Sequence, residues 1–147
     1  MDRKGVWHMI VIVAVDDRQG MLFNKRRQSQ DRILREKLLS MTKRKKLWMN
    51  HYSYSQFEQE GDNQIVCVDN FLDLAGEGEY CFVETELLQP YVEKVEKLIL
   101  VKWNRRYPGD QFLDLELKQP EWTCVKSEEF PGSSHEKLTM EVYEHEK

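Results

Sequence analysis

The stretch 9-MIVIVAVDDRQGMLFNKRRQSQDRILREKLLSMTKRKKLWMNHYSYSQF-57 carries the signals that decide the fold. Met9–Val15 is an unbroken, β-branched apolar run, the pattern of a strand buried on both faces and therefore central in a parallel sheet. Asp16-Asp17-Arg18-Gln19-Gly20 ends it with turn chemistry. Met21–Phe23 is a short apolar patch, expected as a loop packed over the domain. A helix is predicted over Asp31–Met41: Leu34, Leu38 and Met41 recur at helical spacing, Ile33 widens the stripe, and Asp31 suits the positive end of the helix dipole. The basic run Lys43–Lys46 is expected to close that helix at its negative end. Leu47–Met49 then reads as a second strand, and Asn50–Phe57 as a loop leading into a helical turn. The unit is strand, loop, helix, strand, whose loop and helix start are where such units place their ligands.

Working outward, Gln64–Val68 is a strand, and Asp69 is expected to cap a short helix over Asn70–Ala75 that stops at Gly76 and Gly78. Glu79–Val83 is a further buried strand. Glu84-Thr85-Glu86 is expected to open a helix with Leu87, Leu88, Tyr91, Val92 and Val95 inward, Pro90 falling in its first turn. Lys97–Trp103 is the next strand. Pro108-Gly109 centres a turn, after which Phe112, Leu113 and Leu115 return to the core. Trp122–Glu129 and Glu136–Glu144 alternate apolar and polar residues and form an antiparallel hairpin, closed by a loop at Pro131-Gly132. The serines that follow, Ser133 and Ser134, stand beside His135 and raise a nucleophile-near-base reading, but a hairpin loop accounts for them. The string β-loop-α-β-β-α-β-α-β-(β)-β-β argues an α/β domain with a mixed sheet. The whole chain reads as a single domain, with residues 1–8 either native, and then open to disorder, or partly foreign to the natural protein.

The 147 residues carry a net charge of −4, which hides an asymmetry. Asn24–Lys46 holds ten basic and two acidic residues, so the rest of the chain is strongly acidic. Lys25, Arg26, Arg27, Arg32 and Arg35 form a basic patch suited to a phosphate. Nucleic acid is disfavoured as its partner, because no aromatic residue interleaves the patch as a stacking surface. Cys67, Cys81 and Cys124 lie far apart in apolar runs and read as buried reduced thiols of a cytoplasmic protein. No apolar run reaches the roughly 20 residues of a membrane helix, and the N-terminus lacks the form of a signal peptide. His8, His51, His135 and His145 are scattered, without metal-ligand spacing, and no metal is expected. The H-x-H-x-D-H cluster of metallo-β-lactamase-type nucleases such as ribonuclease Z is absent, as are G-x-S-x-G, Walker and HExxH motifs.

The order and spacing of several words resemble the dihydrofolate reductase family along most of the chain. IVAVDDRQGM is similar to its first strand and loop start, LWMNHYSYSQF to its second strand and following M-G-R-x-T motif, and YCFVET to the strand that ends in Gly-Gly. VEKLILVKW and YPGDQFLD are similar to a later strand and the G-D-x-x-F-P turn. The resemblance implies a dihydrofolate-reductase-like α/β fold: a mixed, mostly parallel sheet flanked by helices, with a C-terminal antiparallel hairpin. It places Asp31 at the family's active-site carboxylate, suited to a pterin's amidine-like edge. It also places Asn50, His51 and Ser53, with Glu84 and Thr85, where the family binds the phosphates of NADPH. There the words depart from the pattern. Of the phosphate-binding residues only Ser53 keeps its chemistry, and Glu84 and Thr85 stand for Gly-Gly, setting a carboxylate toward a phosphate. Aromatic residues Trp48, Tyr52, Tyr54, Phe57, Trp103 and Tyr107 either line a residual pocket or pack the core.

The leading expectation is a bacterial, cytoplasmic protein of this fold that has lost NADPH-dependent catalysis and its cofactor. It would act by binding a small molecule or a protein partner, for example as an immunity protein against a basic toxin. The alternatives are a divergent NAD(P)H-dependent reductase of a pterin-like substrate using Asp31, and phosphate or nucleic-acid binding through the basic segment 25–46.

Overall fold

In a computed structural model, which describes residues 8–57 and 63–146, strand β1 (Met9–Val15) lies at the centre of a seven-stranded sheet. Successive side chains of a strand point to opposite faces, and here both faces are covered. Met9, Val11, Val13 and Val15 enter one core with Trp48, Phe71, Leu98 and Trp122. Ile12 enters the other with Leu34, Leu38, Phe57 and Trp103. This double burial is why the run is unbroken in sequence.

The remaining elements are β2 (Gly20–Phe23), β3 (Arg26–Arg27), α1 (Arg32–Met41), β4 (Leu47–Met49), α2 (His51–Tyr54), β5 (Ile65–Cys67), α3 (Phe71–Leu74), β6 (Tyr80–Phe82), a 3₁₀ turn over Gln89–Lys94, β7 (Val95–Lys102), β8 (Gln111–Phe112), β9 (Trp122–Phe130) and β10 (Leu138–His145). The main sheet runs β5-β4-β6-β1-β7-β10-β9. Strands β4, β5, β6, β1 and β7 pair in parallel, whereas β10 pairs antiparallel with both β7 and β9. The sheet is therefore mixed and mostly parallel, with helices and a C-terminal antiparallel hairpin. No described helix is long and apolar enough to cross a membrane.

Several local expectations are corrected. Met21–Phe23 is not a loop: it belongs to β2, which pairs antiparallel with β3 and β8 in a small second sheet. Asn24 and Lys25, both with positive φ, form the tight connection that lets β3 fold back on β2. The helix expected from Glu84 is only the 3₁₀ turn Gln89–Lys94, and Val95 already belongs to β7. Leu88 is buried there, but Leu87 is exposed. Pro90 contributes no N–H, and Asp114 accepts hydrogen bonds from the Leu88 and Gln89 amides, which takes up donors a helix would need. Lys43–Lys46 lies in a turn beyond α1; the helix is closed instead by Thr42, buried, whose hydroxyl donates to Leu38 O. Asp69 does not cap α3, whose N-cap is Asn70; it binds His51. Of the cysteines only Cys81 is buried; Cys67 is half-buried and Cys124 is exposed on β9. Residues 1–7 lie outside the described residues, whereas His8 is buried at the start of β1 rather than part of a loose extension.

Candidate functional site

The parallel strands β1, β4, β6 and β7 all end on one side of the sheet, the side where α/β folds hold ligands. Asp16 follows β1, Asn50 follows β4, Glu84 follows β6, and Trp103 follows β7. Because β10 runs antiparallel to β7, with Thr139 opposite Lys102, the loop that enters β10 arrives on this same side.

That loop meets Asp31. The side chain of Asp31 is fully buried and serves as N-cap of α1, Oδ1 accepting from the amides of Ile33 and Leu34. The same oxygen accepts from Ser133 N at 3.0 Å and Ser133 Oγ at 3.2 Å. The second oxygen, Oδ2, accepts from Ser134 N at 2.8 Å and from His135 Nδ1 at 2.9 Å. Ser133 Oγ also accepts from the Arg32 amide, so the loop helps cap the helix from outside. Burial pushes the Asp31 carboxyl up. The bonds from Ser133, His135, Ser134 and Leu34 outweigh it and hold the group well below the usual carboxylate range. An ionised Asp31 only accepts, so His135 carries a proton on Nδ1 and turns Nε2 away from the carboxylate. Two hydroxyls lie within hydrogen-bond distance of Nε2, Ser29 Oγ at 3.0 Å and Tyr107 OH at 3.0 Å. The imidazole stacks on Trp103 at 4.7 Å between centroids and is almost wholly buried.

Asp16 sets the position of Tyr107. Its Oδ1 closes the turn after β1 by accepting from the Arg18 and Gly20 amides, and Oδ2 accepts from Tyr107 N at 3.0 Å. Burial raises the Asp16 carboxyl, but these three amides pull it below its ordinary value.

The other half of the crevice is built around Glu84, also buried. Its two oxygens receive Arg27 Nε at 2.9 Å and an Arg27 terminal nitrogen at 3.1 Å, the paired geometry of guanidinium on carboxylate. Ser53 Oγ donates to the same carboxylate at 2.8 Å. Arg27 lies over the Tyr52 ring at 4.3 Å and donates to Tyr52 O, while the Arg27 amide donates to Tyr52 OH. Asn50 caps α2 by accepting from Ser53 N, and its amide nitrogen donates to Thr85 Oγ1 and Glu86 Oε2. Burial raises the Glu86 carboxyl above its ordinary value, against the bonds from Asn50 and Thr85. His51 turns away: it is exposed and bonded to Asp69 at 2.9 Å. The structure therefore brings Asn50, Ser53, Glu84 and Thr85 together and leaves His51 on the rim.

The basic patch is divided. Arg27 faces inward on Glu84, and Arg32 pairs with Glu36 along α1. Arg35 bonds Gln30, Lys25 lies on the exposed turn of the small sheet, and Arg26 is exposed on β3. Of the six aromatic residues, Trp48, Phe57 and Trp103 are core, and Tyr54 packs against it. Tyr52 and Tyr107 take up hydrogen bonds within the crevice. Among the described residues no cluster of three or more His, Cys, Asp or Glu could hold a metal ion.

No protein-family model matches the chain, and neither does any curated protein sequence. A solved structure does: the dihydrofolate reductase from Enterococcus faecalis complexed with NADP(H) and RAB-propyl superposes with a TM-score of 0.67 at 10% sequence identity, covering 95% of this chain and 97% of that one. The fold is that of dihydrofolate reductase. Identity this low carries the fold and not the site. Within the dihydrofolate reductase fold, Asp31 stands at the start of the first long helix, as its place in the sequence implied. What sequence reasoning missed is His135, Ser29 and Ser133, the residues that surround it. The only hint was the Ser-Ser-His word in the hairpin loop, and nothing in its spacing pointed 104 residues back to Asp31.

Proposed function

We propose that this chain uses the dihydrofolate reductase scaffold without NADPH-dependent reduction, and that it acts by binding a small molecule or a protein partner. The observation that carries this reading is the state of Asp31: both oxygens already accept from Ser133, Ser134 and His135 of its own hairpin loop. A carboxylate that is to grip a pterin's paired N–H groups must offer two free acceptors, and here the loop occupies them.

The dinucleotide side argues the same way. At the position where the scaffold's Gly-Gly would let a pyrophosphate approach, Glu84 presents a carboxylate, and Arg27 and Ser53 are bonded to it. An internal anion thus takes the contacts a phosphate would need, and a second anion at that place meets like charge in a poorly solvated site. The residues present do not fit NADPH, and no reduction step is derived through it.

A partner of positive charge suits an acidic protein, whose net charge is −4. An immunity role against a basic toxin, in the cytoplasm of a bacterium, is the form of the proposal that this charge favours. The test is titration with NADPH to millimolar concentration, read by tryptophan fluorescence and thermal unfolding. The expected result is no saturable quenching and no rise in Tm. Saturable binding with a matching rise in Tm would restore the reductase reading through Asp31. For the partner, stoichiometric co-purification with the product of a neighbouring toxin gene, and loss of that toxin's activity in the complex, is the supporting outcome.

A further inference from the structure

We infer that Ser29, His135 and Asp31 form a nucleophile–base–orienter chain that takes an acyl group from a small carboxylic ester onto Ser29 Oγ. This goes beyond the binding reading and stands independently of it. The three side chains are joined in the order such chemistry requires. Asp31 Oδ2 accepts from His135 Nδ1 at 2.9 Å, and His135 Nε2 lies 3.0 Å from Ser29 Oγ. The chain order, Ser then Asp then His, is also that of the α/β-hydrolases, a different fold, but roles are assigned by geometry and not by sequence position.

Five further observations support it. Asp31 and His135 are almost fully buried while Ser29 is half-buried, so the orienter and base are the more shielded members of the chain. Asp31 also receives backbone amides, which fix its plane and keep it ionised beside the imidazole. Trp103 stacks on the ring, with 20° between the planes, and covers one of its faces. Tyr107 OH lies 3.0 Å from Nε2 and 3.4 Å from Ser29 Oγ, a donor beside the reacting oxygen. His135 also forms part of the wall of an open cavity of about 520 Å³ whose charged lining is balanced, Arg105 and Lys137 against Glu129 and Glu136, which suits an uncharged ester.

In the step, Ser29 Oγ bonds to the ester carbonyl carbon as its proton passes to His135 Nε2. The carbonyl–alkoxy bond then breaks and the departing alcohol takes that proton. Water repeats the exchange on the acyl-serine, giving the carboxylic acid and restoring Ser29. Asp31 acts as a positioning residue by holding the imidazole in the tautomer that accepts from Ser29.

The test treats the full chain with p-nitrophenyl acetate and, separately, with a fluorophosphonate probe, and maps the adduct by peptide mass spectrometry. The expected result is a single adduct on Ser29, with Ser29→Ala slowing p-nitrophenol release by roughly 100-fold or more at unchanged Tm. The acylation rate should rise with pH across imidazole titration, and Asp31→Asn should displace that profile where the variant folds. Absence of an adduct on the folded wild-type protein, an adduct elsewhere, or unaltered release by Ser29→Ala would each overturn the proposal. These outcomes do not depend on whether NADPH or a protein partner binds.

Discussion

Replacing Asp31 by Asn keeps the shape of the side chain and removes two acceptor contacts. Asn caps helices about as well as Asp, so Oδ1 can still serve Ile33, Leu34 and Ser133. At the other position an NH₂ group would face the Ser134 amide and the His135 Nδ1 proton, now 2.8 and 2.9 Å from Oδ2. A hydrogen bond to a charged group contributes about 1.5–3 kcal/mol net, and donors left buried without an acceptor add a desolvation cost. His135 can recover one contact by moving its proton to Nε2, where Ser29 or Tyr107 must then turn its hydroxyl to accept. The expected loss is therefore about 3 kcal/mol at pH 7. With a urea m-value of about 1–3 kcal/mol/M, the midpoint should fall by roughly 1–3 M. Acidification gives the sign. The folded Asp31 carboxyl lies below its ordinary value, so its contribution is complete above the unfolded pKa of about 3.9 and declines as pH falls through that value. Comparing about pH 5 with pH 3, both acid to imidazole's usual range, the gap between wild type and Asp31→Asn should narrow by about 1 kcal/mol. A loss below about 1 kcal/mol at pH 7, or a gap that widens between pH 5 and pH 3, would refute the claim that the hairpin loop holds an ionised Asp31.

Arg27→Ala leaves the buried Glu84 carboxylate without its guanidinium; a loss of about 3–5 kcal/mol is expected, seen as a drop in Tm of about 10 °C, and a joint Arg27→Met, Glu84→Met variant should recover most of it. Gly132→Ala would set a Cβ 2.5 Å from Asp31 Oδ2 and 2.9 Å from His135 O, so the loop must shift; we expect about 1–3 kcal/mol of destabilisation and a displaced His135 ring resonance in NMR spectra, with wild-type shifts as the opposing result.

The sequence made legible whatever depended on local burial. Met9–Val15 read as a central parallel strand because both faces of the sheet are covered, and that double burial is what the unbroken apolar run records. The alternation at Leu138–Val142 marked the hairpin for a related reason, since a strand with unlike faces shows period two. The miss at Glu84–Val95 came from apolar spacing that fits a helix in a segment whose leading amides Asp114 claims instead. Met21–Phe23 is too short to announce a strand, and becomes one only because β8 arrives from far along the chain. In the candidate site, Asp31 and the Glu84 position could be placed by order along the chain, whereas their partners could not. His135 and Arg27 are joined to them through tertiary contacts of 104 and 57 residues' separation, and such pairing leaves no trace in spacing.

The clasp between α1 and the hairpin loop also bears on how the chain folds. During synthesis the first βα unit emerges long before Ser133–His135, so Asp31 can at first satisfy only its own helix amides. Its lasting partners exist only when the last strand pair is available, and β10 must sit between β7 and β9 to deliver them. Contacts of this sequence separation are slow to form because a long loop must close before they are rewarded. The clasp therefore acts as a late checkpoint, one that joins the beginning of the chain to its end and registers that the whole sheet has been assembled.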